Sequence, residues 1–405
     1  MLLGMPIPRL SLRAIRTPAS PIRKLATLAV AARKRGIRVH ELNIGQPDLP
    51  TPPEFFSAIR RFVGSTVAYA PSAGEPETIR AWQKYYRSLG LSFKSDQILV
   101  TTGGSEAIMF ALFAVTNPGD EVLVFEPFYP NYATFVRLAG AKLQTLPLHA
   151  EDGYALPSAA TLARAIGPRT RALLICNPDN PSGAVRTPAE IRMLLDVARR
   201  KNLFVIADET YREIVFPPAR SLSLATPKAT RDRVILVDSA SKRFNVCGAR
   251  IGCIASTNMG VMESALKFAQ SRLSSPTLDQ CGVTPLLEHS SSLIRPLVRE
   301  YRRRTAAVVE RLRTIPGVTF VKPHGSFYLL ARLPVADTEH FCRWLVEKFS
   351  DHKETLLLAP ASGFYATPGL GRQEVRIACV LSVAKLRRAM VILERALAAY
   401  PGRRP

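Results

Sequence analysis

Lys242 closes the segment Asp238-Ser239-Ala240-Ser241-Lys242, where an amine beside hydroxyls can form a Schiff base with a carbonyl compound once its charged form is disfavoured. In an open loop the same lysine would simply be solvated. Arg250, in Gly248-Ala249-Arg250-Ile251-Gly252, can grip a phosphate bidentately or enter a structural ion pair. Gly103-Gly104-Ser105 offers free backbone N–H groups at the start of a helical stretch. These are the ingredients of a phosphate cradle, and also of an ordinary strand-to-helix turn. Asp208 ends an apolar run. If buried it needs a protonated ring nitrogen or an arginine as partner; otherwise it caps the following segment or pairs with Arg212. Tyr211 reaches the same space or packs. Arg376 lies in Val375-Arg376-Ile377-Ala378, where an arginine is rare without an anion, either a substrate carboxylate or a structural Asp or Glu.

These residues need a frame. Short β-branched-rich apolar runs at 97–101, 121–125, 171–176, 203–207, 234–237 and 251–255 read as buried strands. Helical stretches at 105–115, 131–139, 188–201 and 261–272 lie between them, and this alternation predicts an α/β unit with a largely parallel sheet. Four of the runs release Gly, Asn, Asp, Ser or Lys clusters at their C-terminal ends, the edge where open α/β sheets bind ligands, so one convergent site is expected. From about residue 293 the pattern changes to a long basic helix. Strand-like pieces at 318–321, 326–331 and 375–378 and two helices follow, a smaller α+β unit.

Composition narrows the classes. A chain of 405 residues with 47% apolar content can bury a sizeable core, which excludes disorder and coiled coil as overall descriptions. No run approaches the roughly 20 apolar residues of a membrane-spanning helix. The net charge of +23 is spread along the chain without a zinc-finger, helix-turn-helix or aromatic-interleaved basic motif. It therefore predicts an Arg-rich solvated surface rather than a nucleic-acid partner. The six cysteines never form C-x-x-C and the six histidines show no ligand spacing, so reduced thiols, a cytoplasmic location and no metal site are expected. The basic N-terminal segment reads as a helix over 22–35 stopped by Gly36, in preference to a transit peptide.

Taken together and in order, these motifs resemble the class I aminotransferases of the fold-type I family, which uses pyridoxal 5′-phosphate. The most specific pieces are Asn180-Pro181-Ser182-Gly183, Asp208-x-x-Tyr211, and Ser239-x-Ser241-Lys242 with Arg250 eight residues after the lysine. Asn43-Ile44-Gly45-Gln46-Pro47-Asp48, Tyr69-x-Pro71-Ser72-x-Gly74 and Pro127-Phe128-Tyr129-Pro130-Asn131-Tyr132 support them. The resemblance runs from Pro21 to about Ala398. It implies a mostly parallel seven-stranded sheet in a large three-layer domain over 46–292. Residues 1–45 would join a small α+β domain over 293–405. It also implies that Lys242 holds the cofactor as an internal aldimine and moves the Cα proton. Asp208 would keep the pyridine nitrogen protonated, and Tyr211 and Asn180 would bond the ring's phenolic oxygen. Tyr129, with Tyr132 competing, would stack on the ring. Gly104, Ser105, Ser239 and Arg250, with Ser241 weaker, would hold the phosphate. Tyr69 would reach the phosphate of a neighbouring subunit, implying a homodimer with shared sites. Arg376, helped by the Gly45 backbone, would clamp the substrate α-carboxylate.

Bacterial members that act on acidic substrates often carry a lysine after the paired glycines; here that residue is Ser105. Arg272 would supply the charge from a partner subunit, or else is a surface arginine at a helix end, the reading held ahead. The expected reaction is amino transfer from aspartate to 2-oxoglutarate. The alternatives are another amino-acid donor, aromatic or alanine, or a C–S lyase of the same fold. A transcription regulator with an aminotransferase-like domain is disfavoured, because only about forty residues precede the first motif.

Overall fold

The apolar runs assemble into one seven-stranded sheet in the computed structural model, which describes residues 8–62, 64 and 66–403. Across the sheet the strands are Ile98–Thr101, Gly252–Ala255, Val234–Ser239, Phe204–Asp208, Thr170–Cys176, Glu121–Glu126 and Lys142–Pro147. Neighbours pair in parallel except Gly252–Ala255, which is antiparallel to both of its partners. Six strands thus point the same way and end along one edge. Register aligns those ends, with Cys176 opposite Asp208, Asp208 opposite Val237, and Gly252 opposite both Ser239 and Thr101. The reversed strand begins where the others finish, which is why Arg250, just before it, reaches the same edge. Lys142–Pro147 is an edge strand of mixed polarity and half-buried residues, so no apolar run announced it.

Side chains alternate across the two faces, as strand geometry requires. Leu173, Ile175, Val205, Ala207 and Leu236 enter one buried core, and Ala172, Leu174, Ile206, Ile235 and Val237 enter a second on the opposite face. Helices cover both, giving three layers. Each of the Val, Leu and Ile side chains contributes about 1.5–3 kcal/mol when fully buried, which fixes the strand ends against one another.

A third core joins Leu25, Ala29, Ala32 and Leu42 to Val308, Leu329, Phe341, Leu356, Ile377 and Leu393. Around it lie a four-stranded antiparallel sheet (Ala359–Pro360, Glu374–Ala378, Tyr328–Arg332, Thr319–Phe320) and the parallel pair Arg38–Glu41 with Glu354–Leu357. Helix Ser290–Leu312 serves both regions: Ile294 and Leu297 pack under the large sheet, Val309 and Leu312 in the third core. The N-terminal helix runs Ala26–Lys34 rather than from residue 22. Residues 21–25 form turns, and the Ile22 carbonyl accepts from Asn43 Nδ2 at 2.9 Å instead of from a following helical turn. Gly36 ends the segment at φ +79°, as its sequence position predicts. Among the described residues no helix is long and apolar enough to cross a membrane.

Candidate active site

At the shared strand edge lies a cavity of about 540 Å³. Lys242 enters it from the short helix Ala240–Arg243, which Ser239 opens by accepting from the Ser241 N–H at 3.2 Å. The Lys242 ammonium donates to the Gly45 carbonyl at 2.8 Å and lies 3.4 Å from Cys247 Sγ. Gly45 thus meets the lysine through its carbonyl. A Cβ on Gly45 would lie 1.6 Å from the Tyr328 hydroxyl, so only glycine lets the two approach.

Asp208 is buried at its strand's end. One carboxylate oxygen accepts from the Tyr132 hydroxyl at 2.7 Å, the other from the Thr210 N–H at 3.1 Å and hydroxyl at 2.7 Å. Burial raises its pKa, and the Tyr132 and Thr210 hydrogen bonds oppose that rise. Arg212 is not its partner; it reaches Glu209 at 2.5 Å and Asp238 at 2.9 Å. The capping alternative holds only locally, since a turn follows and Thr210 alone is bonded. Tyr132, expected as a rival for ring stacking, stands behind Asp208 as its donor, whereas Tyr129 lines the cavity. Burial lifts the Tyr129 hydroxyl to about 12, while it accepts from Asn131 Nδ2 at 2.8 Å.

Arg376 is fully buried in strand Glu374–Ala378. Its guanidinium lies 4.3 Å from the Tyr328 ring centroid and 4.9 Å from that of Phe364. It donates to Asn180 Oδ1 at 2.9 Å and to the Asn43 carbonyl, and its Nε has no partner. Among the described residues no Asp or Glu pairs with it, so the structural-anion alternative is overturned. A buried cation held only by neutral groups costs several kcal/mol, a cost that an incoming carboxylate would offset. The Tyr211 and Tyr328 hydroxyls lie 3.2 Å apart beside it.

Helix Gly103–Val115 begins at the opposite end of the cavity. Gly104, Ser105, Ser239, Ser241 and Arg250 converge there. Gly103 has φ +75°, and a Cβ on it would stand 2.4 Å from Arg250 Nη2. Among the described residues the Arg250 guanidinium hydrogen-bonds the Cys247 carbonyl at 3.1 Å and, at 3.5 Å, that of Thr102, and makes no ion pair. A helix N-terminus, hydroxyls and an uncommitted guanidinium form an anion site.

Two expected residues lie elsewhere. Tyr69 is 79% exposed and does not line the cavity. Arg272, read as a surface arginine at a helix end ahead of a partner-side charge, is half-buried against its own chain, with Nη1 left without a partner among the described residues. It donates to Glu106 at 3.1 Å and to the Val100 carbonyl at 3.2 Å, because helix Met259–Arg272 ends over the strand carrying Val100. The sequence assigned no role to Tyr328, Thr210, Cys247 and Arg23, which line the cavity, to Asn43, whose carbonyl accepts from Arg376, or to the ion cluster beneath the cavity. In that cluster Asp238 accepts from Arg212 at 2.9 Å, Arg243 at 2.8 Å and its neighbour's Ser239 N–H at 2.7 Å. Arg212 follows Tyr211 and Arg243 follows Lys242, so one carboxylate pins both segments. The signal for Tyr328 was a polar-tipped aromatic in an apolar strand directly opposite Ala378, two residues from Arg376.

The donor set fits pyridoxal phosphate: an amine, a buried carboxylate for a ring nitrogen, a phenol and an amide near Arg376, and an anion cradle. A family model described as aminotransferase class I and II matches residues 37–393. A probable aspartate/prephenate aminotransferase of Thermus aquaticus is 32% identical over 92% of this chain and 96% of its own length. A probable N-succinyldiaminopimelate aminotransferase of Mycobacterium tuberculosis is 34% identical over 81% of this chain and 85% of its own. Among solved structures, an aspartate aminotransferase from Thermus thermophilus with maleate superposes with a TM-score of 0.88 at 28% identity, covering 96% of this chain and all of that one. With sequence, fold and site in agreement, the chain belongs to the class I and II aminotransferases and is a pyridoxal-phosphate-dependent enzyme.

Proposed function

We propose that this aminotransferase takes its amino group from aspartate and passes it to 2-oxoglutarate. We further propose that it works in the cytoplasm as a homodimer to which Tyr69 contributes across the interface, with domains over 46–292 and 293–405 and residues 1–45 joining the latter. The names of the relatives support the donor, and the exposure of Tyr69 supports the partner role. The observation that carries the reading is Arg376, a buried cation without a carboxylate, facing the same cavity as Lys242.

Pyridoxal phosphate supplies an aldehyde that condenses with amines and a ring that withdraws electrons from the adjacent carbon. The rest falls to the chain. Arg250, Ser105, Ser239, Ser241 and the Gly104 N–H would hold the phosphate. Asp208, kept in place by Tyr132 and Thr210, would set its negative charge against the ring nitrogen. Tyr211 and Asn180 would hydrogen-bond the phenolic oxygen, and Tyr129 would pack against the ring. Arg376 fixes the α-carboxylate, which orients the Cα–H toward Lys242. The Lys242 amine, released from Gly45, would take that proton at Nζ and hand it on to the cofactor's carbon rather than back to Cα.

The test is direct. The loaded protein should absorb in the near-visible range, lose that band with aspartate, and regain it with 2-oxoglutarate. Lys242→Ala should abolish both the band and turnover. Full activity of that variant, or pyruvate and ammonia formed without an oxo-acid acceptor, would end this reading.

A further inference from the structure

A dicarboxylic substrate has a second anion, and neither position first considered for reading it is available. Ser105 carries no charge, and Arg272 is committed to Glu106. The cavity itself holds a candidate. Its lining carries four cationic side chains, Arg23, Lys242, Arg250 and Arg376, against a single carboxylate, Asp208. Asp208 is already bonded by Tyr132 and Thr210. The other arginines at the strand edge, Arg212 and Arg243, are neutralised by Glu209 and Asp238 outside the cavity.

Three of the four cations have work in the reaction: Lys242 on the proton, Arg250 on the phosphate, Arg376 on the α-carboxylate. Arg23 is left over. It sits in the turns of residues 21–25, anchored by its N–H on the Ser20 carbonyl at 3.2 Å and its carbonyl on the Ala26 N–H at 3.0 Å. The next residue, Lys24, turns away to pair with Glu339. Arg23 has no acidic partner among the described residues, and its charge is felt at the Tyr129 hydroxyl inside the cavity. An exposed arginine lining the cavity, its backbone tied into the turn and its side chain free of any carboxylate among the described residues, is suited to bidentate recognition of one.

We propose that Arg23, supplied by the same chain, reads the distal carboxylate of the substrate. This rests on the aspartate and 2-oxoglutarate reading and gives it a residue. The experiment uses holoenzyme of the wild type, Arg23→Gln and Arg23→Lys. Calorimetry gives Kd for two unreactive probes, succinate with two carboxylates and propionate with one; kcat/KM is measured for aspartate and alanine. Loss of one charge-assisted contact should weaken succinate and lower aspartate kcat/KM about tenfold or more in Arg23→Gln. Propionate and alanine should change less than about threefold, and Arg23→Lys should recover part of the loss. Equal effects on both probes, or no effect on either, in an enzyme that still prefers aspartate overturn the assignment of Arg23 alone. A wild type that prefers alanine and does not distinguish succinate from propionate overturns the aspartate reading and this assignment with it.

Discussion

Replacing Tyr132 with phenylalanine removes one O–H from behind Asp208 and leaves the rest of the packing in place. Tyr132 is 1% exposed, belongs to the second core and meets the Tyr129 ring edge-on at 5.5 Å. Phenylalanine fills the same space, so no cavity opens. The loss is the 2.7 Å hydrogen bond to an Asp208 oxygen that has no other donor among the described residues. A hydrogen bond to a charged group contributes about 1.5–3 kcal/mol. Without it the Asp208 carboxylate, whose pKa burial already raises, favours its protonated form still more. A protonated Asp208 cannot oppose a pyridinium charge. At a factor of ten per 1.4 kcal/mol, pyridoxal phosphate affinity should fall about 10- to 100-fold, read by titrating the apoprotein and following cofactor absorbance. Thermal stability of the apoprotein should fall less, because there Asp208 can take a proton in place of the lost donor. A group with a raised folded pKa contributes stability that is complete below its unfolded value and lost as pH rises through the folded one. In the variant the loss of apoprotein stability, which begins at the unfolded Asp value in both proteins, should therefore continue to higher pH than in the wild type. A Kd within about threefold of wild type would refute the idea that Tyr132 sets the state of Asp208.

Gly103→Ala forces a left-handed residue and crowds the end of the Arg250 side chain. It should cost roughly 1–2 kcal/mol in folding and weaken pyridoxal phosphate far more than pyridoxal, which lacks the phosphate. Equal weakening of the two ligands would show that Arg250 does not serve that anion. His40 is buried, and its burial holds its pKa below 6.5 despite Glu354 at 3.6 Å, with Arg38 and Arg388 adding to the depression. The unfolded chain then binds the extra proton, so stability should fall as pH drops below about 6.5, by at most about 1.4 kcal/mol per pH unit. Urea midpoints across that range should flatten in His40→Gln; an unchanged slope would place the titrating group elsewhere.

Strand ends were legible because an apolar run stopped by Asp, Asn, Ser or Gly marks both the element and its functional edge. Contacts that cross the fold were not. Arg376 and Asn180 are 196 residues apart, and no local pattern pairs them. The start of the N-terminal helix was misread for the same reason, since the Asn43 side chain that engages the Ile22 carbonyl lies beyond the helix itself. Asp208 and Asp238 show what decides such cases. Both end apolar parallel strands, and in sequence they look alike. Asp208 shares the parity of Ile206, which faces the second core, where Tyr132 and Tyr211 lie. Asp238 shares the parity of Leu236, which faces the first core, with Trp82, Tyr85 and Tyr86. On that face Arg212 and Arg243 neutralise Asp238, and Arg243 stacks 4.3 Å from the Tyr85 ring. On the other face no arginine among the described residues reaches Asp208, whose partners are Tyr132 and Thr210, and its charge remains for a ligand. Ser239, one residue past Asp238, returns to the parity of Val237 and hence to the ligand side. A single-residue shift in register would exchange these roles, giving the ligand site a carboxylate already bound by arginine.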